Sequence, residues 1–227
     1  MLQGKKVLLT GGSGLLGSTL IPLLEERGAE VLAPTSKDWD ITKSDYPSVV
    51  YSWVPDLIIH CAAYTDVAGA EKNRCECMDL NIHGTYHVKK IAAKMGARMV
   101  YISSDYVNFH PMGIYAFSKR AGEAFTGKHD LVIRTSFKKR GTWGKDALTK
   151  VFHPVWTNAD WVDVIAPKIV DAVDTDLEGI VNIGTKKKLL KDLAQEEYYY
   201  VDSLPVRKAD KLLGYKYPRD CTMDLTI

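Results

Sequence analysis

Apolar residues along this chain form two kinds of pattern. Short unbroken runs fall at 6–10, 30–33, 56–61, 98–103, 130–135 and 179–183. Runs of that length predict strands covered on both faces. Between them, 14–27, 45–53, 71–95, 113–125 and 161–173 carry the spacing of about three to four residues that predicts helices. Gly28 and Gly96 stand where helix C-caps belong, and Pro55 stops the second helix. Strand and helix alternate, which predicts an α/β fold: a Rossmann-type doubly wound parallel sheet. After Thr135 the rhythm breaks. The segment 137–142 is basic, 143–156 has no clear period, and the tail from Lys186 holds one or two short helices. The expected division is a dinucleotide-binding domain over 1–135, to which 160–185 returns, and a small C-terminal substrate-binding lobe from 136–159 and 186–227.

Composition narrows the class. A length of 227 residues allows a sizeable core without staples. The formal charge of +2 gives no reason to expect a nucleic-acid partner. Cys61, Cys75, Cys77 and Cys221 form no framework, and Cys75-Glu76-Cys77 lacks a second cluster for zinc, so reduced thiols in a cytoplasmic protein are expected. Lys5-Lys6 and the apolar run behind them mimic a signal peptide, but the glycines from Gly11 to Gly17 interrupt the run and mark a strand–loop–helix. No stretch elsewhere approaches the ~20 apolar residues of a membrane span. His83 and His87 are four apart without the glutamate a zinc helix needs, so they and His60 read as surface or packing residues and no metal is expected.

The chemistry begins in the first loop. Gly11, Gly14 and Gly17 recur every third residue in Thr10-Gly11-Gly12-Ser13-Gly14-Leu15-Leu16-Gly17. The first two allow a sharp turn and close backbone approach to a pyrophosphate, and the third allows helix packing. The helix behind them offers N–H groups and a partial positive charge to phosphates. The carboxylate that usually holds a ribose 2′-hydroxyl is missing after the second strand. The chain there reads Ala33-Pro34-Thr35-Ser36-Lys37. The Ser36 hydroxyl and the Lys37 cation suit a 2′-phosphate, which favours NADP(H) while leaving NAD(H) open. Asp40, followed by Ile41, is placed to accept from the adenine amine.

Tyr115 and Lys119 are four apart and share a helix face. An ammonium beside a phenol, whose free pKa is about 10, favours the phenolate and tunes it for proton transfer to a carbonyl. Ser104, ending the preceding strand, can stabilise charge on the same carbonyl.

Together these pieces resemble the extended short-chain dehydrogenase/reductase family. The matching segments are 10–17, Asp40-Ile41-Thr42, 61–67, Asn81 within 80–85, Ser103-Ser104-Asp105-Tyr106-Val107, 115–119 with Gly122-Glu123, and Arg134-Thr135-Ser136. The tail 208–219 matches more loosely. The resemblance implies reduction of a nucleotide-linked 4-keto-6-deoxy sugar. Tyr115 is then the proton donor, Lys119 the ribose-binding and tuning residue, and Ser104 the group that orients the keto function. Asn81 organises a proton relay and a helix kink. Gly11, Ser13, Gly14, Leu15, Leu16, Gly17, Cys61, Ala62, Ala63 and Tyr64 line the cofactor trough, and Asp105 and Tyr106 face the sugar. The dehydratases of this family carry Asp-Glu after the serine, whereas Asp105 precedes Tyr106 here, which argues against dehydration. Two readings stay open. An epimerase/reductase needs a second acid, for which Tyr106 and His153 are candidates, and a non-catalytic dinucleotide-binding regulatory subunit needs no turnover. The short connection 107–115 and the small lobe leave the sugar pocket open, or closed by a second subunit in a homodimer. The runs 138–140 and 186–188 read as solvated charged faces with grip on a diphosphate as the rival. Trp156, Trp161 and Tyr198–Tyr200 read as packing residues.

Overall fold

The computed structural model describes residues 1–109, 112–141, 149–196, 201–205 and 220–223. Strand β1 (Lys6–Thr10) is buried along nearly its whole length and feeds the glycine bend and helix α1 (Leu15–Glu26). The chain reverses at Gly28, whose φ of 80° excludes most side chains, and enters β2 (Glu30–Leu32). Helix α2 covers only Ser48–Trp53 rather than 45–53. Pro47 keeps Tyr46 out of helical conformation and sits at the N-cap with its missing N–H harmless. Strand β3 (Leu57–His60) follows.

The single helix expected over 71–95 is broken. The chain makes α3 (Val67–Ala70), α4 (Arg74–Met78), a π-helical turn at Asp79–Gly84 and α5 (Thr85–Met95). Asn81 lies in that widened turn. Its side-chain amide accepts from Tyr64 N at 2.7 Å and donates to Ser118 Oγ at 2.9 Å, while Thr85 Oγ1 donates to its backbone carbonyl at 2.7 Å. These bonds replace part of the regular helical ladder, which is the usual origin of a π-turn.

Strand β4 (Arg98–Ser104) ends in a 3-10 turn at Asp105–Asn108, then come α6 (Ile114–Glu123) and β5 (Leu131–Thr135). Short strands β6 (Phe137–Lys138), β7 (Thr149–His153), β8 (Trp156–Thr157) and β9 (Asp160–Trp161) precede α7 (Val162–Val173) and β10 (Gly179–Ile183). The described chain continues through β11 (Lys188–Leu189), α8 (Leu190–Gln195), β12 (Val201–Pro205) and β13 (Asp220–Cys221).

Six parallel strands make the central sheet in the order β10-β5-β4-β3-β1-β2. β10 returns to the sheet edge beside β5, as its sequence predicts. One face packs against α1 and α7, through Leu16, Leu20, Leu24, Ile165, Ile169 and Val173. The other packs against α5 and α2, through Val88, Ile91, Val50 and the loop residues Trp39 and Ile41. β1 lies between β2 and β3, so the chain leaves it toward one side and returns on the other. A crevice opens at that switch, at the carboxyl ends of the strands. The later chain forms small sheets of its own, β11-β8-β13, β12-β7 and β6-β9. Lys188 to Asp160 and Lys187 to Asp220, both 2.7 Å, tie this part together. Lys187 and Lys188 of the second basic run are therefore spent on ion pairs. Trp161 is buried, whereas Trp156 is 40% exposed beneath Lys187 rather than packed inside. Tyr198–Tyr200, Trp143 and all of 206–219 lie outside the described residues.

Candidate active site

A cleft of about 540 Å³ runs along the carboxyl edge of the sheet. One end is lined by Pro34, Ser36, Trp39, Asp40 and Ile41, and its middle by the glycine bend with Cys61, Ala62 and Ala63. The other end is lined by Ser104, Tyr106, Tyr115, Lys119, Thr135 and Lys138.

The glycine bend is built for close approach. Gly11 has φ 74°, and a Cβ there would lie 2.6 Å from Ala62 N, because the loops after β1 and β3 nearly touch. A Cβ on Gly17 would lie 2.3 Å from Gly11 O. Gly17 therefore lets the bend fold down on its own helix, rather than letting the helix meet the sheet. No side chain caps the start of α1 at Gly14, and Ser13, Gly14, Leu15 and Leu16 line the cleft. A helix start of this kind suits phosphate. At the β2 end, Asp38 is already engaged: it accepts from Thr35 N at 3.1 Å and Thr35 Oγ1 at 2.6 Å. Ser36 borders the cleft and Lys37 is exposed beside it. Asp40 lines the cleft and accepts from Thr42, which holds its carboxyl below the usual range.

At the other end, α6 carries Tyr115 and Lys119 on successive turns, and β4 delivers Ser104. Burial pushes the Tyr115 phenol up to about 12, opposed by a hydrogen bond with Ser104. Lys119 is 3% exposed, and burial pulls its ammonium down to about 7. Its Nζ rests 4.3 Å from the centre of the Tyr101 ring. The spacing argument expected Lys119 to lower the Tyr115 pKa. Here Ser104 supplies that effect and the lysine lies over a different aromatic ring, whose π face attracts a cation. Tyr106 meets Tyr115 edge-on, with ring centres 6.0 Å apart.

Besides Lys37, three predicted residues stand off the cleft. Asn81 is 1% exposed and occupied by Tyr64, Ser118 and Cys77, so it anchors the 62–64 loop to α6 from behind. Tyr64 turns outward, its hydroxyl accepting from Asn73 Nδ2 at 3.1 Å. Asp105 does not face the cleft as expected. It is 1% exposed behind Ser104, which donates to it at 3.2 Å, and burial raises its carboxyl to about 7 against the pull of Ser104 and Lys138. His60 is a core residue, bridging Thr10 and Thr85. His153 lies in β7, and its side chain is outside the described set.

Other residues reach the cleft without having been predicted for it. Trp39, Thr65, Val67, Leu80, Thr135 and Lys138 all line it. Thr135 had one usable signal, its place at the carboxyl end of a strand like Ser104. Lys138 stands in a run whose pattern reads as solvated surface. Beneath the site, Glu123 accepts from Ser103 Oγ at 2.6 Å, Arg134 Nε at 2.9 Å and Arg120 Nη1 at 3.0 Å. That network locks α6 to β4 and β5.

A Rossmann-type sheet whose glycine bend shares one cleft with a serine, a tyrosine and a lysine defines an NAD(P)-dependent oxidoreductase scaffold of the short-chain dehydrogenase/reductase type. Within that class, the chain belongs to the family described as the RmlD substrate binding domain, which matches residues 5–170. It is 35% identical over 217 residues to a dTDP-4-dehydrorhamnose reductase of Mycobacterium tuberculosis H37Rv, covering 83% of this chain and 69% of the relative. It is 31% identical over 243 residues to a dTDP-4-keto-6-deoxy-D-glucose reductase of Streptomyces niveus, covering 91% of this chain and 84% of the relative. Its structure resembles that of dTDP-4-dehydrorhamnose reductase from Bacillus anthracis in complex with NADP, with a TM-score of 0.84 and 25% identity over 99% of this chain and 92% of the other. Among the described residues, no helix is long and apolar enough to cross a membrane.

Proposed function

We infer that this chain is an NADP(H)-dependent reductase that converts the keto group of a nucleotide-linked 4-keto-6-deoxy sugar to an alcohol. The observation that carries this is the convergence of Ser104, Tyr115 and Lys119 on the wall of the cleft that begins at the glycine bend. The residues fit the cofactor: the bend has no room for side chains where a pyrophosphate would press, and a buried hydroxyl at the far end has no partner among the described residues. When bound, the reduced nicotinamide supplies a hydride to the carbonyl carbon. The protein supplies the proton. A phenol held near 12 keeps its proton at neutral pH, so Tyr115 Oη enters the reaction as an acid. Ser104 Oγ donates to the same carbonyl oxygen and stabilises the charge that develops there. Lys119, its ammonium weakened by burial, regains charge beside an anionic dinucleotide and then eases proton loss from Tyr115. Ser36 and Lys37 would receive the 2′-phosphate. The small sheets β11-β8-β13, β12-β7 and β6-β9 would form the sugar end.

The test follows NADPH oxidation with dTDP-4-dehydrorhamnose. Tyr115→Phe is expected to cut turnover at least about a hundredfold with NADPH affinity within about twofold. Turnover at the wild-type rate in that variant would end the reading. Tyr106, edge-on to Tyr115, supports the second reading as an epimerase/reductase. Deuterium from solvent appearing at a sugar carbon beside the carbonyl would select it.

A further inference from the structure

Thr135 breaks the rule that buried hydroxyls find partners. It is 2% exposed and its Oγ1 makes no hydrogen bond among the described residues. Such a group costs stability in the folded chain, so an arrangement that keeps it calls for a reason. Its position supplies one. The β4–β5 register pairs Thr135 directly with Ser104, so two hydroxyl residues stand side by side at the carboxyl edge of the sheet. Ser104 is engaged with Asp105 and Tyr106 N. Thr135 lines the cleft beside it, at the Tyr115 end.

The cleft has a direction. A dinucleotide with its pyrophosphate on the glycine bend and its adenosine toward Ser36 and Asp40 has its second ring at Ser104, Tyr115 and Thr135. That ring carries a primary carboxamide, which both donates and accepts, as a hydroxyl does. We propose that Thr135 Oγ1 is the hydrogen-bond partner of the nicotinamide carboxamide and so fixes which face of the ring is turned to Tyr115. This rests on the dinucleotide reading above.

Thr135→Val keeps the shape and removes the hydroxyl, and Thr135→Ser keeps the hydroxyl. Binding of NADPH and of adenosine 2′,5′-bisphosphate, which lacks the nicotinamide half, is titrated for each, with apo Tm alongside. Thr135→Val is expected to weaken NADPH about five- to tenfold, to leave the bisphosphate within about twofold, and not to lower apo Tm, since no bond is lost. Thr135→Ser should bind NADPH as the wild type does. NADPH binding unchanged in Thr135→Val overturns the proposal. So does equal loss of both ligands with a lowered Tm, which would mark a packing role. A loss seen only in the KM for sugar nucleotide would assign the hydroxyl to the substrate and overturn it too. Wild-type protein that binds neither ligand would instead refute the dinucleotide reading itself, and the proposal with it.

Discussion

Lowering the pH from about 8 to about 4.5 is expected to destabilise the fold by about 3 kcal/mol through His60 alone. The imidazole is fully buried under the cleft, Nδ1 2.7 Å from Thr10 Oγ1 and Nε2 3.0 Å from Thr85 Oγ1. Burial, helped by the Lys119 charge, pulls it from 6.5 down to about 3. The unfolded chain therefore takes up a proton near 6.5, while the folded chain refuses one until about 3. Across that window the unfolded state binds more protons, so stability falls as pH drops through it and levels off below. At about pH 4.5 the folding equilibrium has moved about a hundredfold toward the unfolded chain, or about 3 kcal/mol, and the full window approaches about 5 kcal/mol. The assay is urea denaturation of wild type and His60→Gln at steps between those pH values. Glutamine still bonds both threonines but does not titrate. Wild type should lose about 3 kcal/mol more than the variant between the extremes. Parallel pH dependence in the two proteins would refute the argument. Thr10 Oγ1 also accepts from Ala62 N at 3.3 Å, so protonation would disturb the cofactor loop as well.

Three further outcomes follow from the geometry. Gly11→Ala forces a side chain into φ 74° and against Ala62 N, so it should cost about 1–2 kcal/mol in urea denaturation and weaken NADPH, and a neutral result would remove the steric account of the bend. Glu123→Gln leaves Arg134, whose side chain is 11% exposed, without its charge partner and should cost about 3 kcal/mol by the same method; a loss under about 0.5 kcal/mol would show the network to be slack. Trp39 is buried, lines the cleft and has an Nε1 with no partner among the described residues, so NADPH should quench its emission. Trp39→Phe should then remove most of the change, and an unaltered quench would place the adenine end elsewhere.

Local rules carried much of this protein. The glycine bend was legible because a strand, three glycines and a helix are contiguous, and their φ demands and bulk limits act within a few residues. Tyr115 and Lys119 were legible as a pair because helical geometry fixes what stands one turn apart. The alternation of apolar runs gave the parallel sheet and even the returning strand at 179–183, since burial on both faces is written directly into residue type. Tertiary contact decided the rest. The pattern over 71–95 reads as one helix, and only the bonds of Asn81 to Tyr64 and Ser118, both distant in sequence, make the π-turn. Asp105 looks like a pocket residue in a polar stretch, yet the strand end turns it behind Ser104. Lys119 rests on Tyr101 rather than on Tyr115 because α6 packs on β4, and Thr135 meets Ser104 because of strand register, and no local spacing encodes either. Sequence determined which groups this protein has and which of them share an element. The three-dimensional fold decided which ones are desolvated and what they face, and desolvation is what sets their charge.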